Sequence, residues 1–154
     1  MTRPRVLFVC LGNICRSPLA EAALRAEADR VGLDIEVDSA GTGDWHVGEP
    51  PDSRAIAQAR RHGIDISGYR GRQVRKADFD DFTHVLALDH DNLAALEDLV
   101  PPGRENRLSL LLDHVEGCEG QPVADPYFGD ADGFERTWSQ VTAAARALVS
   151  ELAR

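Results

Sequence analysis

Cysteine, cationic side chains and long apolar runs are all in short supply in this chain. Its 154 residues hold three cysteines, Cys10, Cys15 and Cys118. An odd count with no export signal excludes the disulfide framework of a small secreted domain. Cys10 and Cys15 have no His or Cys nearby to complete a zinc set, so neither a metal nor a cofactor is expected. No apolar stretch reaches the length that crosses a bilayer. The nearest imitation of a leader is Val6-Leu7-Phe8-Val9-Cys10-Leu11, which is too short and ends at Gly12-Asn13 without a small-residue cleavage site. The chain is therefore expected in the cytoplasm. The 17 Lys and Arg are outnumbered by 26 Asp and Glu, a formal net charge of -9. Nucleic acid and anionic membrane both demand a cationic face, so neither is expected as a partner.

What is present fits one globular domain, 1–154. Hydrophobic residues make up 43% of the chain, enough for a sizeable core. Strand-like and helix-like pieces alternate. Residues 5–10 are a continuous apolar run of strand length. Ser17-Pro18 then reads as a helix start, Ser17 as cap and Pro18 at the first helical position. Leu19, Ala22, Ala23 and Ala26 follow at helical spacing until Gly32. Residues 35–39 alternate like a strand, and 41–51 are a Gly/Pro-rich loop. A helix is expected over 52–62, a buried strand over 84–88, a helix over 91–100 and a fourth strand over 107–111. Residues 116–132 read as a long loop. Phe134, Trp138, Val141, Ala145, Leu148 and Leu152 mark a core-facing terminal helix. This order predicts an α/β fold, a single-domain three-layer α/β/α arrangement with a four-stranded parallel sheet. Ligands in such sheets bind at the carboxyl ends of the strands, where the loops after the first and fourth strands meet.

The strongest chemical signal is Cys10-Leu11-Gly12-Asn13-Ile14-Cys15-Arg16-Ser17, between a buried strand and a helix. A short loop running into a helix N-terminus points several backbone N–H groups inward. Gly12 is expected to supply a backbone conformation that other residues resist. Arg16 adds a planar fork for two phosphoryl oxygens. The product is a phosphate-binding loop after the first strand, with Cys10 at its base. The inward N–H groups, the helix dipole and the Ser17 hydroxyl favour the thiolate, the form that attacks phosphorus.

The string from Val9 to Pro18 resembles the signature of the low-molecular-weight protein tyrosine phosphatases. Ser39-Ala40-Gly41-Thr42-Gly43-Asp44-Trp45-His46-Val47-Gly48 resembles that family's second loop in its bacterial form. Asp125-Pro126-Tyr127-Phe128-Gly129-Asp130 resembles its acid loop, and the likeness covers essentially the whole chain. The resemblance implies a protein-tyrosine phosphatase that forms a phosphocysteine on Cys10. Arg16 would bind the phosphoryl group, and Asp125 would protonate the tyrosyl oxygen and then activate water. A thiolate and a protonated carboxyl are needed together, so a bell-shaped pH profile with an acidic optimum is expected.

Leu11, Gly12, Asn13, Ile14, Cys15 and Ser17 complete the phosphate loop in this reading. Trp45, Tyr127 and Phe128 line a slot for the phenyl ring; the alternative for Trp45 and Phe128 is packing in the core. Asn13 and Ser39 resemble the family's supports for loop shape. The family often places a His where Tyr69 stands, a departure that bears on that support. The resemblance also implies a reversible Cys10–Cys15 disulfide that shields the nucleophile. The basic run Arg70, Arg72, Arg75 and Lys76 is either a solvated face or an attractor of acidic phosphopeptides. The expected partner is a phosphotyrosine-bearing protein, with a bacterial tyrosine kinase as one candidate and inorganic phosphate as product. Two other readings are weighed. A thiol-dependent arsenate reductase shares the loop but needs resolving cysteines, and only Cys118 lies outside it. A phosphotyrosine-binding module would need neither the cysteine nor the acid.

Overall fold

The computed structural model describes residues 3–154. Four strands, β1 (Arg5–Cys10), β2 (Glu36–Gly41), β3 (His84–Ala87) and β4 (Leu108–Leu110), form one parallel sheet in the order β2-β1-β3-β4. β1 is central because it is apolar on both faces. Val6, Phe8 and Cys10 point into one core, and Leu7 and Val9 into the other. That alternation is the two-residue period of a strand read on a sheet covered on both sides.

Helices α1 (Arg16–Val31), α2 (Ser53–Arg61) and α5 (Ala131–Leu152) cover the first face, where Leu19, Ala23 and Leu24 meet Phe134, Val141 and Leu148. The short α3 (Asp78–Asp81) and α4 (His90–Leu99) cover the second, with Phe79 and Leu96 against Leu7, Val9 and Val85. The three-layer α/β/α architecture expected from the alternation is the one observed. The chain leaves β1 toward β2 and later returns to the other side of β1 as β3. Such a reversal opens a crevice at the carboxyl end of the central strand, and Cys10 is the last residue of that strand.

Several boundaries differ from the sequence reading. Helix α1 begins at Arg16, one residue before the expected cap, with Cys15 at the N-cap and no side-chain cap bond. Ser17 and Pro18 are the second and third helical residues. Ser17 is turned inward toward Cys10 instead of back onto the helix end, and Pro18 is tolerated because N–H groups in the first turn have no intrahelical partner. The unsatisfied first-turn amides stay free to face an anion. Helix α4 is capped by Asp89, so it starts at His90 and not at Asp91. Asp130 caps α5 through Asp132 N–H and Gly133 N–H, ending the long loop two residues early. The four-residue α3 carries no periodic signal, and the sequence reading assigns it no element.

Candidate active site

Residues 11–15 link β1 to α1 and wrap the Cys10 sulfur. Asn13 N–H donates to Sγ at 3.3 Å, and Ser17 Oγ lies 3.0 Å from it. The left-handed residue of this loop is Asn13, with φ of 59°, and not Gly12. Asn tolerates that conformation better than most side chains. Gly12 is needed for space instead, because a Cβ there would meet His46 Cδ2 at 3.2 Å. Gly41, at the end of β2, is tighter still: its Cβ would fall 2.8 Å from Leu11 O and 3.2 Å from Asn13 N.

The Asn13 side chain organises a buried chain of hydrogen bonds. Its Oδ1 accepts from Arg72 N–H at 3.0 Å, which sets the amide's orientation. Its Nδ2 then donates to Ser17 Oγ at 2.8 Å and to Ser39 Oγ at 3.0 Å. The Ser39 hydroxyl donates to Glu21 Oε1 at 2.8 Å, and Glu21 Oε2 accepts from Arg25 at 2.9 Å. With Asn13 donating to its oxygen, Ser17 can turn its proton to the cysteine sulfur at 3.0 Å, the nearer of its two acceptors, Ala40 O lying at 3.5 Å. Glu21 is almost fully buried, and burial raises its carboxyl despite the bonds from Ser39 and Arg25. Tyr69 packs beside this pair; burial first, then the Glu21 charge, pushes its phenol up to about 12. The Asn13 links close without Tyr69, so its presence in place of His leaves them intact.

Arg16 is nearly buried. Its Nη1 donates to Asp89 Oδ2 at 2.7 Å and to Val123 O at 3.1 Å, and its Nη2 lies 3.5 Å from Asp125 Oδ2. Burial works against its charge, but the Cys10 sulfur and Asp89 outweigh it and hold the guanidinium above its ordinary value. Asp89 also caps α4 by accepting from Asn92 N–H, so it ties the helix end to the arginine. Asp125 accepts from Tyr127 N–H at 3.1 Å, a local turn that fixes the carboxylate's bearing. Burial, aided by Asp52 and Cys10, pushes the Cys15 thiol up, so it stays protonated near neutral pH. All three cysteines are free thiols.

These elements enclose a cavity of about 210 Å³. Every site residue expected from the sequence lines it except Asn13 and Ser17, which stand behind the loop. Trp45, Tyr127 and Phe128 are 65%, 41% and 95% exposed, so they form the cavity's mouth and do not pack the core. Tyr127 and Phe128 meet edge to face at 4.8 Å. Arg54 lies over Tyr127 at 5.5 Å and over Phe134 at 5.0 Å, while Asp52 holds its fork. It thereby links α2 to the loop that carries Asp125. The basic run is only partly free, with Arg75 and Lys76 exposed. Arg72 is committed to Asp38 and Asp78, and Arg70 to the carbonyls of Ser67 and Tyr69. Among the described residues no cluster of His, Cys, Asp and Glu is arranged to hold a metal.

Sequence reasoning missed Asp89, Glu21, Arg54 and His46 as parts of the site. Asp89 carried a usable signal as the acid just before an expected helix. His46 lay beside Trp45 in the second-loop string, whereas Glu21 and Arg54 are brought in by tertiary packing alone.

A sulfur cupped by a loop entering a helix, with an arginine and a carboxylate facing the same cavity, is the arrangement of a cysteine-dependent phosphatase. Residues 5–154 match the family model described as low molecular weight phosphotyrosine protein phosphatase. The protein-tyrosine-phosphatase YfkJ of Bacillus subtilis is 45% identical over 125 residues, 80% of each chain. The corresponding phosphatase of Streptomyces coelicolor is 42% identical, covering 95% of this chain and 92% of that one. Among solved structures, a protein tyrosine phosphatase of Entamoeba histolytica superposes with a TM-score of 0.92 at 34% identity, covering 97% of each chain. The chain belongs to the low molecular weight phosphotyrosine protein phosphatase family and is a protein-tyrosine phosphatase.

Proposed function

We propose that the chain hydrolyses phosphotyrosine in two steps through a phosphocysteine on Cys10. Cys10 Sγ attacks phosphorus in line, forming an S–P bond as the P–O bond to the aryl group breaks. The Asp125 carboxyl gives its proton to the departing tyrosyl oxygen, a poor leaving group without one. The Asp125 carboxylate then takes a proton from water. The water oxygen attacks phosphorus, the S–P bond breaks, and inorganic phosphate leaves. Arg16 and the N–H groups of residues 11–17 stabilise the charge that spreads over the equatorial oxygens in both steps. The observation that carries this reading is the shared cavity. The sulfur, a guanidinium held by Asp89 and a carboxylate all open onto it.

The mouth formed by Trp45, Tyr127 and Phe128 favours an aryl phosphate, because the aromatic faces bury a phenyl ring and offer little to phosphoserine. The proposed protein substrate is a phosphotyrosine-bearing protein, a bacterial tyrosine kinase being the partner that fits the bacterial relatives. The cytoplasm is the proposed compartment, since its reducing potential keeps Cys10 a thiol. No helix among the described residues is long and apolar enough to cross a membrane. Residues 1–154 are read as one phosphatase domain.

The test is hydrolysis of para-nitrophenyl phosphate and a phosphotyrosyl peptide under reducing conditions. Wild type turns over both, Cys10→Ser is dead, and Asp125→Ala is slowed by about 10²- to 10⁴-fold on the phosphotyrosyl peptide, the worth of a general acid, and less on the nitrophenyl ester, whose leaving group needs the proton less. Full activity in Cys10→Ser would remove the nucleophile assignment.

A further inference from the structure

Asp125 sits in a segment, 121–126, that is neither strand nor helix. A group that transfers a proton needs a fixed aim, so its backbone must be held by other means. Two peptide planes lead into it. In the first, Val123 O accepts from Arg16 Nη1 at 3.1 Å, and Ala124 N–H donates to Gln140 Oε1 at 3.2 Å. In the second, Ala124 O accepts from Thr137 Oγ1 at 3.0 Å. A peptide unit is rigid, so holding Ala124 O also places the nitrogen and Cα of Asp125. Upstream, Val123 N–H donates to Leu88 O at 2.8 Å. Downstream, Pro126 is buried, its Cβ 3.6 Å from where a side chain on Gly133 would begin.

Gly133, Thr137 and Gln140 are spaced by four and then three on α5, so they share one face of that helix. The stripe runs beside Phe134, Trp138 and Val141, which enter the core. Thr137 is fully buried in the helix interior, where a threonine can return its proton to the carbonyl four residues back. That carbonyl, Gly133 O, lies at 3.1 Å and Ala124 O at 3.0 Å, so the single proton is shared between helix and loop. The Gln140 amide is oriented by its partner. A main-chain N–H only donates, so the side chain must turn its oxygen toward Ala124. Neither residue lines the cavity, and the two-step hydrolysis gives neither a part.

We propose that Thr137 and Gln140 are positioning residues that aim the Asp125 carboxyl at the departing aryl oxygen by holding the two preceding peptide planes on α5. The inference rests on Asp125 being the general acid. The Asp125 side chain is 44% exposed, and its own contacts are the Tyr127 N–H and the 3.5 Å approach of Arg16. Its reach is therefore decided by where the backbone puts its Cα. Pro126 confines Asp125 to extended conformations, which leaves the Ala124 anchors to set the direction. Thr137 carries more of the aim than Gln140. Arg16 holds the other edge of the Gln140 plane, whereas among the described residues Thr137 alone holds the plane next to Asp125.

The experiment compares kcat/KM for phenyl phosphate, whose leaving group needs a proton, with kcat/KM for para-nitrophenyl phosphate, whose leaving group needs it less. This parameter reports steps up to departure of the aryl group, so the later activation of water by Asp125 does not enter it. Thr137→Val, nearly isosteric, raises the nitrophenyl-to-phenyl ratio about tenfold and Gln140→Leu about threefold, fractions of the roughly 10²- to 10⁴-fold that a general acid supplies. Thr137→Ser returns the hydroxyl, Gln140→Glu returns an acceptor oxygen, and each recovers most of the wild-type ratio. In an Asp125→Ala background, where the ratio is already high, neither Thr137→Val nor Gln140→Leu moves it further. Lost packing alone would lower both esters equally. Gln140 is half-buried, so Gln140→Leu carries the same test if Thr137→Val does not fold. Equal losses on both esters, no recovery in the conservative variants, or a further rise in the Asp125→Ala background overturns the inference. If Asp125→Ala itself leaves the ratio at the wild-type value, the general-acid reading falls and this inference with it. If Asp125→Ala raises the ratio and the α5 variants do not, this inference alone falls.

Discussion

Asp89 is asked to do two things at once, and an asparagine there can do only one. Its Oδ1 accepts from Asn92 N–H at 2.7 Å, and its Oδ2 accepts from Arg16 Nη1 at 2.7 Å. Replacing Asp89 by Asn leaves one acceptor and turns an amide donor onto an N–H. The lost contact is either a helix cap, worth about 1 kcal/mol, or a charge-assisted bond, worth about 1.5–3 kcal/mol. Asp89→Asn should therefore cost about 1–3 kcal/mol of stability, and Asp89→Ala, losing both, about 2.5–4 kcal/mol. The arginine side chain is only 4% exposed, so it cannot recover the contact from water. It keeps Val123 O and the more distant Asp125, which limits the loss. Urea unfolding reads the stability terms. Competitive inhibition by inorganic phosphate reads the arginine's aim, and its inhibition constant should rise about tenfold in Asp89→Ala. Unfolding curves that shift while phosphate affinity stays at the wild-type value would refute the claim that Asp89 orients Arg16. They would leave Asp89 as a helix cap alone.

Gly41→Ala places a methyl 2.8 Å from Leu11 O. It should cost about 1–3 kcal/mol as the phosphate loop shifts, with kcat/KM on para-nitrophenyl phosphate falling alongside; wild-type kinetics would contradict it. Arg54→Lys keeps the charge but loses the fork on Asp52 and the flat face over Tyr127 and Phe134. Because the loop it braces carries Asp125, phenyl phosphate should suffer more than an activated nitrophenyl ester that leaves without a proton. Equal losses would assign Arg54 a purely structural role. Burial raises Glu21, so the folded state holds that proton more tightly than the unfolded chain does. Its contribution to stability is then full below the ordinary carboxylate range and is lost as pH rises through the raised value. Glu21→Gln should remove that decline, and thermal unfolding at acidic and neutral pH would show an unchanged slope if the account is wrong.

Much of the fold could be read from the chain because its signals are local. The apolar run of β1, the turn glycines and the stripe of α5 each fit one element only, and alternation then forces a parallel sheet. The phosphate loop was legible for the same reason, since Cys10 through Ser17 is contiguous. What failed were details set by long-range contact. Ser17 looks like a cap from its neighbours, but Asn13 and Cys10 claim its hydroxyl. Gly12 looks like the strained residue, but the strain sits at Asn13, whose side chain is held by Arg72 from across the fold. Arg72 reads in sequence as part of a basic run, but Asp38 and Asp78 pair with it in the fold. Arg54 belongs to a helix remote in sequence from the loop it braces, and Glu21 reaches the phosphate loop only through Ser39 on β2, so no spacing rule could select them.

The central claim is that phosphate passes through the Cys10 sulfur. The direct measurement is mass spectrometry of enzyme quenched in acid while it turns over para-nitrophenyl phosphate, whose leaving group needs little protonation, with Asp125→Ala used to slow the second step. The account predicts a phosphoryl group on the fragment containing Cys10, absent from Cys10→Ser. Turnover with no phosphorylated cysteine fragment, or a phosphoryl group on any other residue, would contradict it.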